Sequence, residues 1–255
     1  MIGQRIARRA LHGLRGLAAL TLLAGLAWLA SPAGAQQGEP VDLELVLAVD
    51  ASSSVTIHEF DLQMRGLSEA FRHPAVLAAI RAAGDLGIAV ALVQWSDNRK
   101  QIVAVDWTKV RSEASAAGLA NRIGATPRFI IGGGTAIGGA IAFSARQFEI
   151  SAFEGRRKVI DVSGDGRANQ GALPSRVRDE AVAQGITING LAILNEDPTV
   201  DTYYRIHVIG GTGAFIMAAD DYDDFAKAIV EKLIKEISGV PIAHGPYPGD
   251  QVAVR

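Results

Sequence analysis

The chain has 255 residues, 49% of them hydrophobic, a formal net charge of −2 and no cysteine. That length and apolar content suffice for one substantial core. The missing cysteines exclude disulfides, a thiolate nucleophile and a cysteine zinc site, and the absence of a basic surplus argues against nucleic acid as a partner.

Residues 1–35 read as a cleaved secretory signal. Arg5, Arg8, Arg9 and Arg15 form a basic start, Leu17 to Ala30 is an apolar run, and Ala33-Gly34-Ala35 is a small-residue cleavage site. Their removal takes away four arginines and no acid, so the mature chain is more acidic still. No later apolar run is long enough to span a bilayer, and the expectation is an exported protein, periplasmic or secreted. Residues 36–42 read as a polar leader, 43–238 as one domain, and 239–255, with its prolines and glycines, as a loosely ordered tail.

The domain opens on Leu43 to Ser54, Leu-Glu-Leu-Val-Leu-Ala-Val-Asp-Ala-Ser-Ser-Ser. A short run rich in Val and Leu suits a strand buried on both faces of a parallel sheet. At its end Asp50, Ser52 and Ser54 alternate, a set of hard oxygen donors suited to Mg2+, Mn2+ or Ca2+. The competing reading makes Asp50 or a serine the cap of the next helix. Thr56 and Glu59 have capping-box spacing, and Ile57, Phe60, Met64, Leu67 and Phe71 give that helix one apolar face. His58 lies off the stripe, where it either lines a site or is solvated.

Pro74 starts a second short helix ending near Gly84. Ile88 to Trp95 and Gln101 to Trp107 are two apolar runs joined so closely that they must form an antiparallel hairpin. A helix is expected from about Lys109 to Ile123. Next comes Ile131-Gly-Gly-Gly-Thr-Ala-Ile-Gly-Gly-Ala140 and an alanine-rich helix to about Ile150. Lacking the lysine of a phosphate-binding loop, this glycine run delivers Thr135 either as a hydroxyl ligand or as a helix cap.

The stretch from Arg157 to Ser163 is a strand ending at Gly164-Asp165-Gly166, which supplies a second carboxylate or an ordinary Asp-Gly turn. Asp161 has the parity of Asp165 and reads either as an acid behind the site or as a buried residue with a structural partner. Leu173 to Gln184 reads as a helix, Ile186 to Leu194 as a strand, Pro198 to Ile206 as a short helix, Ala214 to Ala218 as a strand and Tyr222 to Ile237 as a closing amphipathic helix. Asp220, Asp221, Asp223 and Asp224 crowd its start, where acids favour the helix dipole.

Strands alternating with helices predict a doubly wound, mostly parallel α/β sheet with one antiparallel edge strand and helices on both faces. Such sheets bind ligands beyond the carboxyl ends of their strands, where the strand order reverses. Asp50, Thr135 and Asp165 would all reach that edge.

In this combination, Asp50-x-Ser52-x-Ser54, Thr135 after a glycine loop and Asp165-Gly166 after a strand, the chain resembles a von Willebrand factor A-type domain with a metal-ion-dependent adhesion site. With its signal and the run Val159 to Gly166 it is also similar to an uncharacterised family of exported bacterial proteins of this type. The resemblance implies that Ser52, Ser54 and Thr135 present hydroxyls to a divalent ion, Mg2+ first, which Asp50 and Asp165 hold directly or through water. It implies a non-enzymatic binding module that captures an Asp or Glu of a protein partner. Two alternatives remain at this point: a metal-dependent phosphoester hydrolase with Arg167 as its clamp, and a domain whose metal only stiffens three loops.

Overall fold

The computed structural model describes residues 38–239, so the signal and the tail beyond Gly239 lie outside the described residues. In chain order the elements are β1 (Glu39–Val41), β2 (Leu43–Asp50), α1 (Ile57–Ala70), α2 (Pro74–Ala83), β3 (Ile88–Trp95), β4 (Gln101–Val110), α3 (Glu113–Gly124) and α4 (Ile137–Glu149). They continue with β5 (Phe153–Gly155), β6 (Lys158–Gly164), α5 (Pro174–Ala183), β7 (Ile186–Ile193), α6 (Val200–His207), β8 (Ile216–Ala219) and α7 (Phe225–Ser238).

A six-stranded sheet has the order β4-β3-β2-β6-β7-β8. Only the β3–β4 pair is antiparallel. β2 is buried along its whole length because helices cover both faces of the sheet. Alternate residues feed the two layers. Leu43, Leu45, Leu47 and Val49 face a cluster with Phe60, Leu67, Ile123 and Phe225. Val46 and Ala48 face the opposite cluster with Trp95, Ile137, Ile141, Val177 and Tyr204. From β2 the chain first moves outward through β3 and β4, then crosses to β6 and moves outward on the other side. The reversal therefore falls between the adjacent carboxyl ends of β2 and β6.

Several boundaries differ from the sequence reading. Lys109 belongs to β4, which runs to Val110 because that residue pairs with Ile88 at the start of β3. The helix begins only at Glu113, where Ser112 and Ser115 cap each other. Within the presumed leader, Glu39–Val41 forms a strand that pairs in parallel with Phe153–Gly155, a second small sheet that was not anticipated. The closing helix starts at Phe225, not Tyr222: Asp221 Oδ1 accepts the N–H groups of Asp223 and Asp224 and holds a turn ahead of it. Asp224 occupies the N-cap position without a side-chain hydrogen bond. The acids therefore shape the approach to α7 more than they cap it.

Candidate metal centre

Beyond the carboxyl ends of β2 and β6, three loops converge. Asp50 is fully buried at the end of β2, and its Oδ1 accepts the N–H of Ser52 at 2.7 Å, which turns the chain sharply. The turn brings Ser52 Oγ to 3.1 Å from Ser54 Oγ, and Ser54 Oγ donates to Asp165 Oδ1 at 2.8 Å. Residues from two strands are thereby joined side chain to side chain. Thr135 is buried on the third loop, and a Cβ placed on Gly166 would stand 3.9 Å from its Oγ1.

The capping explanations for these residues do not survive the geometry. The N-cap of α1 is Thr56, in a full capping box with Glu59, so Asp50, Ser52 and Ser54 are free of that role. The N-cap of α4 is Ala136, with no side-chain hydrogen bond, so Thr135 is not a cap either.

Close approach shapes the rest of the cradle. Gly164 carries no side chain where a Cβ would meet Asp50 Oδ2 at 2.8 Å and Tyr204 Oη at 2.7 Å. Gly133 has φ +115°, a conformation that disfavours side chains. It exchanges hydrogen bonds with Ser53, whose N–H donates to the Gly133 carbonyl while Ser53 Oγ accepts the Gly133 N–H. Ser96 Oγ donates to the carbonyls of Gly132 and Gly134, and the Thr135 N–H donates to Asn169 Oδ1.

Arg128 ties the first loop to the third. Its guanidinium donates to the carbonyls of Val55, Ala51, Ser52 and Ile130, and it stands 5.7 Å from the centroid of the Phe60 ring. Tyr222 donates its hydroxyl to Asp165 Oδ2 at 3.1 Å. Sequence reasoning missed both. Arg128 has no motif of its own, and Tyr222 was assigned to the first turn of a helix.

Burial dominates the electrostatics. Asp50 is pushed up to about 7, first by burial and then by the negative charge of Asp165, against the hydrogen bond from Ser52 and the charge of Arg128. Asp165 is raised by burial, offset by the hydroxyls of Ser54 and Tyr222. Tyr222 and Tyr204 are also held well above the usual phenol range by burial and the neighbouring carboxylates. Asp50 Oδ2 and Tyr204 Oη, both buried, have no hydrogen-bond partner. An orphaned carboxylate oxygen, a second carboxylate and three hydroxyls are a donor set that fits a hard divalent cation. Among the described residues no group of three or more His, Cys, Asp or Glu could hold a metal, so ligation here would depend on the hydroxyls.

Asp161 and His58 are the two neighbours anticipated behind the site. Asp161 makes a 2.6 Å ion pair with Lys232 of α7, within the layer between sheet and helix, and not with the loop residues. His58 is exposed on the first turn of α1. Arg167, the proposed clamp of a hydrolase, is committed away from Asp165: Nε pairs with Asp197 Oδ2 at 2.7 Å, Nη2 donates to Thr199 Oγ1, and the group stacks on Tyr203.

The fold has solved counterparts. Proximal thread matrix protein 1 from the mussel byssus matches with a TM-score of 0.58 at 15% identity over 79% of this chain and 49% of that one. A further structure of that protein, described as having a zinc-occupied metal-ion-dependent adhesion motif, matches with a TM-score of 0.57 at 16% identity over 79% and 49%. The von Willebrand factor domain of the type V pilus tip protein Mfa5 from Porphyromonas gingivalis matches with a TM-score of 0.55 at 12% identity over 81% of this chain and 98% of that one. The chain thus spans about half the length of the mussel proteins. At these identities the likeness shows the fold, a von Willebrand factor A-type α/β domain. No curated protein matches in sequence. The model of a protein family of unknown function, DUF1194, matches residues 40–241, most of the chain, and the protein belongs to that family.

Proposed function

We infer that this chain is a divalent-cation-dependent protein-binding module, in which Asp50, Ser52, Ser54, Thr135 and Asp165 hold the ion and a carboxylate of the partner completes its coordination. The observation that carries this reading is the buried, unpartnered Asp50 Oδ2 beside Asp165 and the serine hydroxyls, at the point where the strand order reverses. Mg2+ is the ion of choice, because it favours octahedral oxygen sites and keeps exchangeable waters. Hydroxyl ligands are neutral, so a bound ion retains positive charge that can attract an Asp or Glu side chain.

The chain's own residues supply the rest. Arg128 fixes the carbonyls of the first loop, so the serines are presented without rearrangement, and Ser53 pins the glycine loop to them. Tyr222 and Ser54 orient the two oxygens of Asp165. Around the same edge Ile57, Phe129, Ile131 and Leu173 are exposed apolar side chains that a protein partner could cover. The mussel structure with zinc in the corresponding motif supports a divalent ion in this fold. The commitment of Arg167 to Asp197 and Thr199 removes the observation that favoured a hydrolase. We further place the module outside the cytoplasm, with residues 1–35 removed on export.

Calorimetric titration with Mg2+, Mn2+ and Ca2+, beside Asp50→Asn, tests the proposal. Saturable binding abolished by the substitution is expected, as is chelator-sensitive retention on a surface displaying glutamate-containing peptide. Wild-type binding in Asp50→Asn would overturn the ligand assignment. Ion binding without any carboxylate dependence would overturn the capture mechanism.

A further inference from the structure

A cavity of about 340 Å³ opens at the other end of the sheet, among the starts of β6 and β7, the last turn of α7 and the loop before β8. Its wall carries four basic side chains, Arg156, Arg157, Lys158 and Lys235, against a single acid, Glu236. We propose that this cavity is a second ligand site, separate from the metal centre, that takes a small organic anion with a carboxylate head and an apolar body.

Three observations carry the assignment. The charge of Lys235 is under-compensated: its ammonium makes no ion pair with any described carboxylate, and it lies 4.5 Å from the centroid of the Phe215 ring. Its pKa is lowered, first by burial and then by the nearby charge of Lys232. An arriving carboxylate would favour the charged form of Lys235 and so oppose both shifts by its opposite charge. The other cations are held in place by the fold. Arg157 donates to the carbonyls of Glu236 and Ile237 at 2.8 and 2.7 Å, which also neutralises the negative end of α7. Arg156 pairs with Asp42 at 2.9 Å, whereas Lys158 stands 3.9 Å from Glu44 and is only loosely engaged.

The lone acid of the wall does not cancel this field. Glu236 shares the buried Lys232 with Asp161 and accepts from Asn189 Nδ2, and burial together with the charge of Asp161 raises its pKa to about 7, so it adds only part of a negative charge to the wall. Val159, Val182, Ile186 and Phe215 complete the lining and give the apolar body its surface. A purely inorganic anion would leave that surface unused, so the mixed lining favours an amphipathic carboxylate.

Benzoate is a suitable probe, with inorganic phosphate as the comparison, titrated into the purified chain and followed by calorimetry and thermal shift. Saturable benzoate binding is expected, weakened at least tenfold by Lys235→Gln and unaffected by Asp50→Asn or by chelator. Lys158→Gln should weaken binding less, and both lysine variants should keep the wild-type response to Mg2+, which shows that they are folded. Absent benzoate binding, or equal binding to Lys235→Gln, would overturn the proposal. Phosphate bound as tightly as benzoate would overturn the organic-anion assignment, and benzoate binding lost in Asp50→Asn would move the site to the metal centre.

Discussion

Strand β6 carries Asp161 within it and Asp165 just past its end, on the same parity, and each belongs to a pair of buried acids. Asp161 and Glu236 share the ammonium of Lys232, and all three side chains are almost completely buried. Asp165 and Asp50 have no lysine between them: hydroxyls, a backbone N–H and the more distant Arg128 serve them instead. Burial raises the acids of both pairs. The difference lies in what completes each pair. In the α7 layer the chain supplies its own cation, which makes that pair structural. At the carboxyl edge no lysine stands between the acids, and apart from the more distant Arg128 the groups that serve them are ones that would also suit an external ion, the condition expected of a binding site.

Removing the internal cation should have the largest effect. Lys232→Met leaves two acids buried without their counter-charge and should cost about 3–5 kcal/mol in urea denaturation at pH 7. Asp50→Asn, by contrast, removes a repulsive buried charge and should change stability in chelator by about 1 kcal/mol or less, while abolishing the rise in Tm expected of the wild type in Mg2+. A tolerated Lys232→Met together with a grossly unstable Asp50→Asn would invert the contrast between the two ends.

Arg128 comes next. Substitution by methionine leaves several loop carbonyls without their donor, and about 1–3 kcal/mol should be lost. Because those carbonyls hold the serine loop in shape, Mg2+ affinity should fall together with stability. A loss of stability with unchanged affinity would mean that the loop is preorganised by Ser53 and the glycines alone.

The contrast also explains what could be read from the residues. The placement of Asp50, Ser52, Ser54, Thr135 and Asp165 at one edge could be read because Asp50 and Asp165 follow buried strands, the serines follow Asp50 and Thr135 follows a glycine loop, while their role as ligands is the proposal made above. The central strands and most helices were legible for the same reason, through the period of their apolar residues. Arg128 and Tyr222 were not, since their partners lie 73–77 and 57 residues away and nothing local marks them. The fate of Asp161 was undecidable from parity alone: it turns on Lys232, 71 positions later, which in sequence is one more charge on an amphipathic helix. Strands of three residues such as Glu39–Val41 carry too little pattern to show, and become strands only through pairing with Phe153–Gly155.

The last expected effect is a pH dependence to which Glu236 contributes beside Asp50, which is raised over the same window. Glu236 is pushed from an ordinary 4.5 up to about 7 by burial and by the charge of Asp161, and Lys232 and Asn189 only partly oppose this. Arg157 approaches the same helix end but spends its donors on backbone carbonyls. A buried acid with a raised pKa binds more protons in the folded chain than in the unfolded one between those two values. Its contribution to stability is therefore full below about 4.5 and is lost as pH rises through about 7. In saturating Mg2+, melting of the wild type should accordingly fall by roughly 5–10 °C between the two ends of that window, and Glu236→Gln should flatten this part of the profile. A slope that survives Glu236→Gln would assign it to other acids, and the lysine-bridged pair would then hold its charges unchanged across the window.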